Sequence, residues 1–249
     1  MLAVLYVSHG TRIHEGVKQA NQFLSSCMKQ VDAPIQRVCY LEIVQPGILD
    51  GIRQCIAAGA EVVLVQPLLL LTAGHAKRDI PRVIKQAERL YPDVRFIYGR
   101  PFGVDERIVS LLIERLHEQQ NPLPQGSGIL LVGRGSSDPD TKRNFAQIRH
   151  LLHQKGMESV TVCYMAAAKP TFEEGLDQVI REQWRHVYVI PYLLFSGVLM
   201  KTIHRSIDVK NKAGASITLC RPLGYHPHLI QLMKKRVEES LHHVLSDYA

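Results

Sequence analysis

The sequence predicts an α/β protein of two similar lobes, each a small, mostly parallel sheet flanked by helices, with a cleft between them. Two observations carry this. The chain repeats itself: LYVSHGTR from Leu5, CYLEIVQPGILDGI from Cys39, VVLVQPLLLL from Val62 and YGRPFG from Tyr98 return in the same order as LLVGRGSS from Leu130, CYMAAAKPTFEEGL from Cys163, VYVIPYLLF from Val187 and LCRPLG from Leu219. The offset stays near 124 residues throughout (about 121 to 125), as expected of a duplicated and fused unit. Within each copy, short β-branched runs alternate with longer helical patterns, which is the signature of βα units around a parallel sheet.

In chain order, the apolar run at residues 2–8 opens the first sheet, and further strands are expected at 37–43, 61–66 and 94–99. Helical periodicity fills 14–29, 46–58, 77–90 and 105–118 between and after them. Asn121, Pro122, Pro124, Gly126 and Gly128 mark the connection, so the lobes are expected at 1–120 and 129–249 with a linker at 121–128. The second copy places strands at 129–133, 160–166, 186–190 and 216–220. Loops at the carboxyl ends of parallel strands share one edge, where ligands of open α/β sheets bind.

Composition narrows the class. With 249 residues, 46% hydrophobic and 21% charged, the chain can bury an ordinary core. The apolar start at 2–7 is too short for a secretory signal, and no stretch reaches the 18 or so apolar residues of a membrane span, so a cytoplasmic protein is expected. Five scattered cysteines form no metal-binding or redox pair. The net charge of +7 comes without basic runs or aromatic-basic interleaving, which argues against nucleic acid and suits a small polyanionic substrate.

Three residues stand out as chemistry. His9 follows the first strand, Glu42 lies near the end of the second, and His75 follows the third, just before Lys77, where a helix is expected to open. The repeat supplies an internal control. The second copy has Arg134 opposite His9, Ala166 opposite Glu42 and Leu199 opposite His75, whereas Gly10/Gly135, Pro46/Pro170, Gly51/Gly175 and Pro67/Pro191 match. Residues kept for folding alone would recur, so the asymmetry points to a site in the first lobe. Two imidazoles with open coordination positions suit Fe²⁺, Co²⁺ or Ni²⁺, and a neutral imidazole or carboxylate can take a proton. Leu70, Leu71, Thr72, Ala73 and Gly74 could lie against a flat apolar ligand. Arg134, Ser136 and Ser137 form a turn able to receive a carboxylate, or equally a helix cap. Arg12, Lys77 and Arg78 are further cationic candidates, and the roles of His226 and His228 in GYHPH stay open.

VSHGTR, LEIVQP, QPLLLLTAGHAKRDIP and VGRGSSDPD together resemble the sirohydrochlorin chelatases in their long, two-lobed form. The resemblance spans nearly the whole chain. It implies ATP-independent insertion of a divalent metal, Fe²⁺ or alternatively Co²⁺, into a tetrapyrrole with eight peripheral carboxylates. The metal is then substrate, and no permanently bound cofactor is expected. The resemblance further implies His9 as proton acceptor and ligand, His75 as second ligand, Glu42 as the assisting acid, and Leu70 to Gly74 as a tetrapyrrole-contacting loop, with Gln45 as a substrate contact. A monomer is expected, since duplication supplies the pairing that a half-length relative obtains by dimerising. A non-catalytic tetrapyrrole or metal carrier is the alternative outside enzymes. A histidine phosphatase would need an arginine where Ser8 stands, and a dinucleotide fold would need glycine at Asp138.

Overall fold

The computed structural model describes residues 1–245; residues 246–249, which the sequence reading counted in the second lobe, lie outside that range. The elements run β1 (Leu2–Ser8), α1 (His14–Met28), β2 (Ile35–Tyr40), α2 (Ile48–Ala57), β3 (Val62–Pro67), a π-helical turn (His75–Asp79) leading into α3 (Ile80–Leu90), β4 (Arg95–Tyr98) and α4 (Glu106–His117). The second series is β5 (Ser127–Gly133), α5 (Pro139–Gln154), β6 (Val160–Tyr164), α6 (Phe172–Arg181), β7 (His186–Tyr192), α7 (Val198–Lys212), β8 (Ile217–Leu219) and α8 (Pro227–Leu245). Two four-stranded sheets result, ordered β2-β1-β3-β4 and β6-β5-β7-β8, and every strand pair is parallel.

The central strands explain this choice. Ala3 to Val7 and Val63 to Val65 are fully buried, a continuous apolar run rather than an alternating one, which requires cover on both faces of the sheet. Register is shared around β1, where Val7 sits opposite Cys39 of β2 and Pro67 of β3. The matched glycines have a packing reason. A Cβ on Gly51 would stand 2.9 Å from the Cys39 Cβ, and one on Gly175 would stand 2.5 Å from the Cys163 Cβ, so α2 and α6 approach their sheets only as glycine allows. Among the described residues, no helix is long and apolar enough to cross a membrane.

The packing units differ from the lobes read off the repeat. One unit is Met1–Gly103 with the chain from Pro227 onward, and the other is Val104–His226. The helix that follows the fourth strand of each copy therefore belongs to the other copy's unit: α8 packs on α1 and β3, and α4 packs on α5 and β7. Two buried arginines fix this. In the first unit, Arg236 of α8 donates to the carbonyls of Phe102 (2.6 Å) and Pro101 (3.3 Å), and Glu239 accepts from both Arg236 and Arg100. In the second, Arg115 of α4 donates to the carbonyls of Pro222 (2.9 Å) and Leu223 (2.6 Å), and Glu118 accepts from Arg115 and Arg221. Each RP-Leu/Phe-G loop is thus held by a helix more than a hundred residues away in sequence.

Candidate metal centre

His9 leaves the end of β1, where Gly10 (φ +87°) turns the chain so sharply that a Cβ would stand 2.0 Å from the Glu42 carbonyl oxygen. That close approach lets the β1–β2 pairing continue beyond the strands, with Leu41 N–H donating to Ser8 O (2.9 Å) and Glu42 N–H to His9 O (3.2 Å). Glu42 consequently lies in a loop past β2, which stops at Tyr40 instead of running to 43. Ile43, exposed and β-branched at φ 70°, is the strained residue that turns the loop away. The side chains then meet: His9 Nδ1 is 3.5 Å from Glu42 Oε1.

His75 arrives by a different route. The segment after β3 is pinned by Phe102 N–H to Leu69 O (3.0 Å) and Gly103 N–H to Leu70 O (2.9 Å), the same loop that Arg236 holds. Contrary to the expectation of a helix opening near Lys77, His75 itself begins a π turn, closed by the Ile80 N–H bonding to His75 O. The wider turn has a sequence cause. The core-facing Ile80 lies one residue further from Pro67 than its counterpart Ile203 lies from Pro191, and the π turn absorbs the extra residue. Tyr98 donates its hydroxyl to Ala76 O at 2.8 Å, fastening the turn to β4; the second copy has Leu219 there and a plain α-helix. His75 Nδ1 is 2.8 Å from Asp79 Oδ2.

His9, Glu42 and His75 each offer one ligand atom within 4.8 Å of the others, and the two rings lie 4.9 Å apart at 48°. Two atoms bound to one ion at about 2.1 Å each stand at most about 4.2 Å apart, so atoms gathered this closely could serve together as a ligand set with open positions. All three side chains are part-exposed, which leaves the centre reachable.

The remaining residues singled out by sequence fall in separate places. Leu70 to Gly74 are half-buried and lead directly into His75; Gly74 leaves room for the Arg78 guanidinium, 3.0 Å from where a Cβ would be. Gln45 is exposed, and its Oε1 accepts the Gly47 N–H (2.9 Å), shaping the entry to α2. Arg134, Ser136 and Ser137 lie in the second unit on the β5–α5 turn. There the capping reading is realised in part: Ser136 Oγ accepts from Asp138 N–H, and Asp138 caps α5. Arg134 and Ser137 are exposed. His226 pairs with Glu114 at 2.8 Å within the second unit, and His228 lies in the first turn of α8. Asp79 escaped the sequence reading. Its signal was the i, i+4 spacing to His75, together with its absence from the second copy, where Thr202 precedes Ile203, the counterpart of Ile80.

Fold and site define a class: a duplicated α/β protein with a histidine-glutamate-histidine cluster, suited to a divalent ion, at the strand ends of its first sheet. The chain belongs to the CbiX family, which matches residues 3–119 and 128–240. It is 46% identical over 242 residues to the sirohydrochlorin ferrochelatase of Priestia megaterium, covering 97% of this chain and 91% of that one. Among solved structures, SirB from Bacillus subtilis with Fe3+ superposes with a TM-score of 0.87 at 37% identity, covering 96% and 95% of the two chains. The sirohydrochlorin chelatase SirB from Bacillus subtilis subspecies spizizenii in complex with cobalt superposes at 0.83 with 35% identity, covering 96% and 94%.

Proposed function

We propose that this chain inserts Fe²⁺ into sirohydrochlorin: the ion replaces the two pyrrole N–H protons, which leave as H⁺, and no ATP is consumed. The observation that carries the reading is the His9, Glu42 and His75 cluster, present in one copy of the duplication only and open to an incoming ligand. The ferrochelatase relative, 46% identical over almost the full length, supports both the substrate and the metal. His9 and His75 hold the ion, and His9 accepts a pyrrole proton that the Glu42 carboxylate beside it can relieve. A set of three protein ligands with open positions suits transfer better than a closed four-ligand site would.

Leu70 to Gly74 offer the macrocycle an apolar face. Arg134 and Ser137, exposed on their turn, take peripheral carboxylates, with Ser136 and the amide donors of Gln45 as further contacts. The metal is a substrate, the reaction belongs to the cytoplasm, and the chain acts as a monomer whose duplication replaces dimerisation. Cobalt is the second reading, favoured by the related chelatase solved in complex with cobalt.

Anaerobic insertion into sirohydrochlorin, followed by absorbance without ATP, tests this. Fe²⁺ is expected to show the largest acceleration over the spontaneous reaction. A larger acceleration with Co²⁺ would favour the cobalt reading, and no acceleration with Fe²⁺, Co²⁺ or Ni²⁺ would leave a carrier.

A further inference from the structure

Asp79 stands at the junction of the π turn and α3, a place where aspartate ordinarily caps a helix, as Asp105 and Asp138 do for α4 and α5. Here its side chain caps nothing. The Ile80 N–H already bonds to His75 O, and the next residue, Pro81, has no N–H. The carboxylate turns instead to His75 Nδ1 at 2.8 Å. An ionised carboxylate only accepts, so this contact requires the proton on Nδ1, which leaves the Nε2 lone pair for another partner. Three features of this segment are missing from the matching place in the second copy: the π turn, the Tyr98 hydroxyl that fastens it, and a His-Asp pair at the start of the helix.

A histidine and an aspartate four residues apart on a helix often pair with no further meaning, and the chain holds its own example. His204 and Asp208 of α7 meet at 2.9 Å, well exposed and outside any group of potential metal ligands among the described residues. What distinguishes His75 is that His9 and Glu42 stand within ligand range of it.

We propose that Asp79 is the positioning residue of His75: set by the π turn, it fixes the imidazole in the Nδ1–H tautomer and aims Nε2 at the incoming ion. This rests on the reading of His75 as a metal ligand. Carboxylates placed behind metal-binding histidines typically govern affinity by about 10- to 100-fold.

The test is Co²⁺ titration followed by visible absorbance, combined with ¹⁵N NMR of the imidazoles in the full chain. Wild type is expected to show His75 protonated at Nδ1. Asp79→Ala is expected to weaken Co²⁺ binding by about 10- to 100-fold and to lose that tautomer, with Asp79→Asn recovering part of the affinity through its amide oxygen. Asp208→Ala, the matched control, should change nothing. In the His75→Ala background Asp79→Ala should have no further effect, whereas a merely structural aspartate would act in both backgrounds. The inference is overturned if wild-type His75 carries its proton on Nε2, which needs no variant to fold. It is overturned equally if Asp79→Ala binds Co²⁺ as wild type does while His75→Ala does not. Undiminished Co²⁺ binding by His75→Ala would instead remove the reading of the site on which it rests.

Discussion

Gly10 passes so close to Glu42 that the Glu42 carbonyl oxygen occupies the place of a glycine Cβ, 2.0 Å from where that atom would be built. Gly135 stands in the same relation to the carbonyl of Ala166, at 1.9 Å. Both have φ near +85°, where any other residue costs about 1–3 kcal/mol before the clash is counted. Gly10→Ala and Gly135→Ala should therefore destabilise their units to a similar degree in urea titrations. Only Gly10→Ala should also weaken Co²⁺ binding, because only there does the displaced loop carry a proposed ligand, Glu42. Equal metal affinity in the two variants would show that Glu42 is not held in place by this contact.

Arg236 joins α8 to the loop that buttresses Leu69 and Leu70, and so reaches the candidate metal centre without touching it. Replacing it by methionine keeps much of the buried stem but orphans two carbonyls and leaves the part-buried Glu239 carboxylate to Arg100 and Lys235, at a cost of about 3 kcal/mol. Burial pushes the Glu239 carboxyl up, but the hydrogen bond from Arg100 and the charge of Arg236 outweigh it, leaving the group below its ordinary value. A carboxyl depressed in the folded state stabilises the fold above the ordinary glutamate value, and that contribution is lost as pH falls through the folded value. Denaturant midpoints should accordingly fall as pH drops below the ordinary glutamate value, about 4.3, and fall less steeply in Arg236→Met. A parallel fall in both proteins would deny the pair its role.

Much of this architecture is legible in sequence because its causes are local. The β1 and β3 runs are apolar throughout, and helical periodicity marks α1 to α3, so strand and helix follow within a few residues. Which sheet receives α4 or α8 is not local: an apolar stripe states that a helix is covered, and the covering surface is chosen by Arg115 and Arg236 reaching carbonyls more than a hundred residues away. The π turn escaped for a related reason, since one added residue between Pro67 and Ile80 is visible only when the two copies are compared by their buried isoleucines. Its apolar neighbours predict Glu42 on a strand, whereas Gly10 draws it into a loop.

Arg134 stands where the first copy has His9, exposed on a turn whose serine and aspartate already serve α5. Proposed as a grip on a peripheral carboxylate and not on the exchanging nitrogens, it should matter for binding more than for turnover. Arg134→Ala is expected to raise KM for sirohydrochlorin several-fold with little change in kcat. A fall in kcat at constant KM would move Arg134 into the chemistry.

The two histidines should separate in kinetics, because their neighbours differ. His9 has Glu42 beside it, a carboxylate able to relieve it of a proton, whereas the Asp79 contact commits the His75 ring proton to Nδ1 and leaves that ring suited to holding metal. In the proposed roles, His9→Ala removes a ligand and the proton acceptor together and should nearly abolish insertion at any metal concentration. His75→Ala removes a ligand only, so it should chiefly raise the Fe²⁺ concentration needed for half-maximal rate, with a smaller loss at saturation. Both side chains are about a third exposed and contribute little packing, so thermal unfolding should shift by no more than about 2 °C. Two variants that insert metal at wild-type rates while losing several degrees of thermal stability would make the pair structural, and the centre would have to be sought elsewhere.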